Sequence, residues 1–328
     1  MEQVEKIIEK FRYNEKLANK LRNIVPGIVE YYGKENEELI INTLLNDEIY
    51  ITNSNENIYD LIKKLDKSDI NFVEDGMTVS DSDLKRASGV SSSIPYISID
   101  ENGNAMLDKV NRFIAFRGLY DLNEEVIISD STLIHEICHS IKSYNNECTL
   151  EDNVLTMRSG LIQTKYNVKN IYDKVYCELV EDKNVGIEEG VNEYDTRNIC
   201  DILKIQNSLG GYAFESQVAK GIMEDLQLKD KILAAQFYPE TINIEEEYNK
   251  VFKDNSNHFS AMNSKFDQVV KKGYDMFANM LNLEEWKKNN FLELQTLQND
   301  LVTDLLEYKI IAVPKKEKLN TEKVCEEK

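Results

Sequence analysis

Residues 135–139 read His135-Glu136-Ile137-Cys138-His139, and this stretch limits the fold more than any other part of the chain. Two histidines four positions apart reach the same divalent ion only if the segment is a helix, which sets them on one face about a turn apart. The neighbours agree: Ile134, Ile137, Cys138 and Ile141 recur at helical spacing and give the helix a face to bury, with Asp130 and Ser131 as candidate N-caps. Glu136 lies about 100° around from His135, where a carboxylate stands beside an ion without entering its coordination sphere; that is the position of a general base. With only three histidines in 328 residues, the pattern arises by chance in about three sequences per thousand of this length.

The remainder supplies ordinary globular material. Hydrophobic residues make up 41% of the chain, enough to fill cores in two or three packed regions. Lys and Arg number 39 against 59 Asp and Glu, a net charge of -20 that repels phosphate backbones and anionic lipid alike and disfavours nucleic-acid and membrane-surface roles. No run of the roughly 18 apolar residues that a membrane helix needs is present, and Met1-Glu2-Gln3-Val4-Glu5-Lys6 does not open a secretion signal, so a cytoplasmic location is expected. The cysteines, at 138, 148, 177, 200 and 325, are odd in number and lack a C-x-x-C pair, which fits reduced thiols.

Periodicity predicts an α+β chain in four parts. Residues 1–120 read as a mixed α/β region: helices to about Leu45, then strands at Ile49–Ile51, Ile70–Val73, Tyr96–Ile99 and Phe113–Phe116. Residues 121–206 hold the motif helix, an inserted hairpin from Val154 to Val180 with its turn at Asn167-Val168-Lys169-Asn170, and a helix from Gly186 to about Ile205. The breaker cluster Asn207-Ser208-Leu209-Gly210-Gly211 opens a helical region to 313, with one helix marked by Val218, Ile222 and Leu226 and a longer one from Phe259 to Phe277 with Gly273 as its weak point. The Lys- and Glu-rich tail, 314–328, is expected to be disordered.

A catalytic zinc keeps three protein ligands and an open position, whereas a structural one is closed by four, commonly with thiolates; Cys148 is the nearest thiol in sequence that could complete such a site. The metzincin extension is absent, since His139 is followed by Ser140-Ile141-Lys142-Ser143-Tyr144-Asn145. Downstream stands Gly186-Ile187-Glu188-Glu189-Gly190-Val191-Asn192-Glu193-Tyr194. Here the sequence resembles the gluzincin metallopeptidases, in which the HExxH helix is followed by a second helix whose glutamate completes the zinc site. The resemblance implies a zincin-like fold, zinc (Zn2+) held by His135, His139 and Glu189, and Glu193 as the outer carboxylate that bonds His135. The interval departs from the pattern: His139 and Glu189 lie 50 positions apart where gluzincins use about twenty. The predicted hairpin absorbs the excess and leaves Glu178, Glu181 and Asp182 as rival ligands.

Zinc hydrolases of this kind stabilise the oxyanion with a further donor, and two are candidates: His258, the remaining histidine, and Tyr212, soon after the ligand helix. By analogy the strand Phe113–Phe116 is expected to bind an extended peptide along its edge. The expected activity is hydrolysis of a peptide or protein substrate by a zinc-activated water, with Glu136 as general base. The alternatives are a non-catalytic zincin-like binding protein and a zinc hydrolase of another class with a cysteine ligand.

Overall fold

A computed structural model describes residues 2–53, 55–68, 70–73, 84–85, 87–120, 126–127, 129–144, 148–172, 174–206, 212–239, 241–252, 257–279 and 282–312. Three helices open the chain, α1 (Glu2–Lys10), α2 (Glu15–Tyr32) and α3 (Glu37–Asn46), followed by β1 (Glu48–Ile51), α4 (Ile58–Leu65) and β2 (Ile70–Val73). The hairpin β3 (Gly89–Ile99) and β4 (Ala105–Phe116) and the short pair β5 (Leu119–Tyr120) and β6 (Val126–Ile127) lead into α5 (Asp130–Lys142), the motif helix. Then come β7 (Thr149–Glu151), β8 (Val154–Ser159), β9 (Ile162–Ile171) and β10 (Lys174–Lys183). The rest is helical: α6 (Val185–Leu203), α7 (Ala213–Lys220), α8 (Lys229–Phe237), α9 (Ile244–Asn249), α10 (His258–Ala278) and α11 (Leu283–Ile311). The α+β class is thus observed.

Two sheets position the site. The first has the order β1-β4-β3, with β1 parallel to β4 and β3 antiparallel to it. Side chains alternate across a strand, so β4 serves two cores: Ile114 and Phe116 join Ile49 against α1, α2, α3 and α5, while Phe113 and Ala115 pack with Ile94, Ile58 and Leu61 of α4 on the other face. The second sheet has the order β2-β10-β9-β8-β7, with β2 parallel to β10 and the other neighbours antiparallel.

Helix α5 buries the expected face completely, with Ile134, Ile137, Cys138 and Ile141 all at 0% exposure. That leaves its opposite face, which carries both histidines, turned to α6. Its C-terminus is tied to β4 by Arg112, whose guanidinium donates to the Ser143 and Ser140 carbonyls and to Asp47. Such bonds satisfy carbonyls that a helix end leaves without intrahelical partners.

Several expectations shift. The N-cap of α5 is Ser129, whose side chain accepts from the Thr132 amide; Asp130 lies in the first turn and pairs with Lys20. The turn expected at Asn167–Asn170 is strand, because Val168 is buried opposite Cys177. The chain reverses instead at Gly160 and Tyr172, both in the left-handed region with φ of 59° and 53°, so the insert makes two hairpins in place of one. The helix through Val218 relaxes into a π-helical turn at Gly221–Asp225 that contains Ile222, with Leu226 just past it. The breaker cluster 207–211 and the tail 314–328 lie outside the described residues. Among the described residues no helix is long and apolar enough to cross a membrane.

Candidate metal centre

Helices α5 and α6 pack together, and the contact brings His135, His139 and Glu189 to one point. One ligand atom from each lies within 4.8 Å of the others, and all three residues are buried. Glu189 Oε2 stands 3.6 Å from His135 Nε2 and 3.4 Å from His139 Nε2. The rival ligands are engaged elsewhere: Glu178 pairs with Lys169, Glu181 with Lys165, and Asp182 accepts from Thr164, all on the second sheet. Cys148 packs against the core of that sheet with Leu155 and Cys177.

Each imidazole has a carboxylate behind it. Glu193 Oε2 lies 3.3 Å from His135 Nδ1, at the place its spacing predicted, and is itself held by Arg197 Nε at 2.9 Å. Glu188 Oε1 lies 3.7 Å from His139 Nδ1. Asn192 Nδ2 donates to the His135 carbonyl at 2.9 Å, a further tie between the two helices.

The two tyrosine and histidine candidates separate. Tyr212 stacks on His135, with centroids 5.8 Å apart and ring planes 6° from parallel. His258 begins α10 with its ring against Phe252 and Tyr308, at 4.5 and 4.6 Å between centroids, in the C-terminal core. A residue that sequence reasoning missed is Tyr274, whose hydroxyl donates to Glu189 Oε1 at 3.1 Å and whose ring meets Tyr212 edge-on. One signal marked it: Tyr274 follows Phe266 and Val270 at intervals of four, so it leaves α10 on their buried face.

Glu136 is 7% exposed and sits under β3. A Cβ on Gly89 would stand 2.7 Å from Glu136 Cγ, so the strand approaches this closely only because a glycine is there. The edge expected at Phe113–Phe116 is corrected by this topology: β4 is paired on both sides, to β1 and β3, and among the described residues β1 and β3 are the two edge strands of the sheet.

Electrostatics separates the acids from one another. Burial pushes Glu136 above the ordinary carboxylate range, even against the pull of both histidines. Burial would also raise Glu189, but the two imidazoles outweigh it and hold Glu189 far below that range. The histidines respond in kind: burial lowers them, but Glu189 and Glu193 lift His135 to about 9, and Glu189 with Glu188 lifts His139 to about 10.

The donor set could hold a metal ion. Among the described residues Glu189 Oε2 is buried with no hydrogen-bond partner, although two ring nitrogens face it. With Nδ1–H of each histidine turned to a carboxylate, both Nε2 atoms are left free to serve as ligands beside Glu189, a set of two nitrogens and one oxygen. No protein-family model, curated protein or solved structure matches this chain.

Proposed function

We propose that the chain is a zinc-dependent peptidase, with His135, His139 and Glu189 as zinc ligands, Glu136 as general base and a zincin-like arrangement of edge strand, motif helix and glutamate helix. The observation that carries this reading is that three ligand groups from two helices converge, 50 residues apart in sequence, with a buried Glu136 next to the first histidine. Bound Zn2+ supplies Lewis acidity, which lowers the pKa of a coordinated water and polarises a carbonyl oxygen. Glu136, with its basicity raised by burial, takes the water proton and hands it to the leaving amine. Tyr212, stacked on His135 and kept protonated because burial raises its pKa well above the ordinary value, is the candidate donor for the developing oxyanion. The edge of β3 that is unpaired among the described residues, over Glu136, offers backbone groups to an extended peptide.

The test is Glu136→Gln, assayed on a mixed peptide library with zinc content measured in the same preparation. Hydrolysis should fall about 10²- to 10⁴-fold with zinc retained. Undiminished hydrolysis rejects the mechanism, and bound zinc in a wild type that cleaves nothing in the library reduces the site to a non-catalytic one.

A further inference from the structure

We propose that Glu188 is the positioning residue for His139, and that the turn between β8 and β9, Gly160-Leu161, holds Glu188 in place, so that the second sheet helps set the metal affinity of the site. This inference rests on the zinc reading above.

Glu188 is 0% exposed and stands next to Glu189 on α6. Its Oε2 is fully engaged, accepting from the Leu161 amide at 2.8 Å and from Gln236 Nε2 of α8 at 2.8 Å. Its Oε1 is buried and accepts no hydrogen bond, and the donor it faces is His139 Nδ1, just beyond bonding reach at 3.7 Å. A buried carboxylate oxygen without a donor is costly. The arrangement makes physical sense once His139 presents Nε2 to a cation, since Nδ1–H then requires an acceptor on this side.

The turn is shaped around this carboxylate. Gly160 adopts φ of 59°, which glycine takes without strain, and a Cβ there would stand 2.4 Å from Glu188 Oε2, so with any larger residue the carboxylate would have to shift. The end of β8 is also tied to the motif helix: Ser159 Oγ meets Ser143 Oγ at 2.7 Å, and Ser143 Oγ donates to the His139 carbonyl at 2.7 Å. The sheet therefore grips His139 from two sides, through its carbonyl and through Glu188. The contrast with His135 is informative, because its partner Glu193 draws its support from Arg197 on the same helix and owes nothing to the sheet.

A purely structural Glu188 would need only an acceptor for Leu161 and Gln236, which a neutral glutamine amide also provides. The negative charge is required toward the imidazole. Glu188→Gln therefore separates the two roles. Zn2+ affinity is measured by competition with a chromophoric chelator, and the Co2+-substituted protein by its d–d absorption, in wild type, Glu188→Gln and Gln236→Leu. Glu188→Gln is expected to bind Zn2+ about 10- to 100-fold more weakly and to shift the Co2+ bands, as loss of an outer-shell partner does. Wild-type affinity and bands in that variant overturn the positioning role while leaving the zinc reading intact. A wild type that takes up no Zn2+ overturns both. Should Glu188→Gln fail to fold, Gln236→Leu decides: a smaller loss of affinity with displaced Co2+ bands is expected, and an unchanged spectrum overturns the proposal.

Discussion

Helices α5 and α6 carry two buried charge clusters side by side, and the second shows what the first lacks. Lys142 and Asp195, both at 0% side-chain exposure, pair at 2.7 Å; Lys142 also donates to Asn192, and Asp195 accepts from the Tyr31 and Tyr32 hydroxyls of α2 at 2.6 and 2.9 Å. Neither Lys142 nor Asp195 has a buried side-chain atom without a partner. About two turns before Asp195 on α6, Glu189 Oε2 and Glu188 Oε1 are also buried and accept from nothing among the described residues. The same helix pair thus holds a network that closes on itself and one that remains open at its centre. Burial of charge is common to both; only the open one has the geometry of a ligand site.

Substitutions should separate the clusters. Asp195→Ala strands a buried ammonium and is expected to cost about 3–5 kcal/mol of stability in denaturant unfolding; a loss below about 1 kcal/mol would show that the network is not closed as described. Glu189→Ala should act on metal content instead, weakening Zn2+ binding by more than the roughly hundredfold limit of outer-shell changes, as read by chelator competition. Unaltered affinity there would remove Glu189 from the ligand set.

Acidity gives a third contrast. In protein stripped of metal, His135 and His139 titrate at about 9 and 10, above the unfolded value of about 6.5. A group with a raised folded pKa stabilises fully below its unfolded value, so this contribution is complete below pH of about 6.5 and is lost as pH rises through about 9 to 10. Zn2+ competes with the same protons, so its affinity should climb across that window; a flat affinity profile would contradict the pairing of the imidazoles with the carboxylates. The smallest effect is expected from Tyr274→Phe, which removes one hydrogen bond to Glu189 and should weaken Zn2+ binding by about tenfold or less.

The motif helix and its apolar face were legible because helical periodicity is local: Ile134, Ile137, Cys138 and Ile141 announce the buried side, and the histidines take the other. Glu193 was legible for the same reason, standing one turn after Glu189 on α6. Tyr274 and Glu188 were not. Tyr274 reaches Glu189 across 85 residues, and Glu188 finds Leu161 and Gln236 across 27 and 48, distances over which no sequence period operates. The insert shows the intermediate case: its strand content was read correctly, but its turns were misplaced, because Asn167-Val168-Lys169-Asn170 has turn-forming residues and only pairing with β10 makes it a strand.

The sequence by itself determined that a helix runs through 135–139 with two imidazoles on one face, that a carboxylate-rich helix follows, and that the chain mixes α and β, since each depends on contacts within a turn or two of backbone. Tertiary structure alone decided which strand is the edge, which tyrosines face the cluster, and which buried carboxylate oxygens are left without a donor. Those properties belong to long-range packing, in which a side chain's partners are chosen by the meeting of elements rather than by its neighbours in the chain.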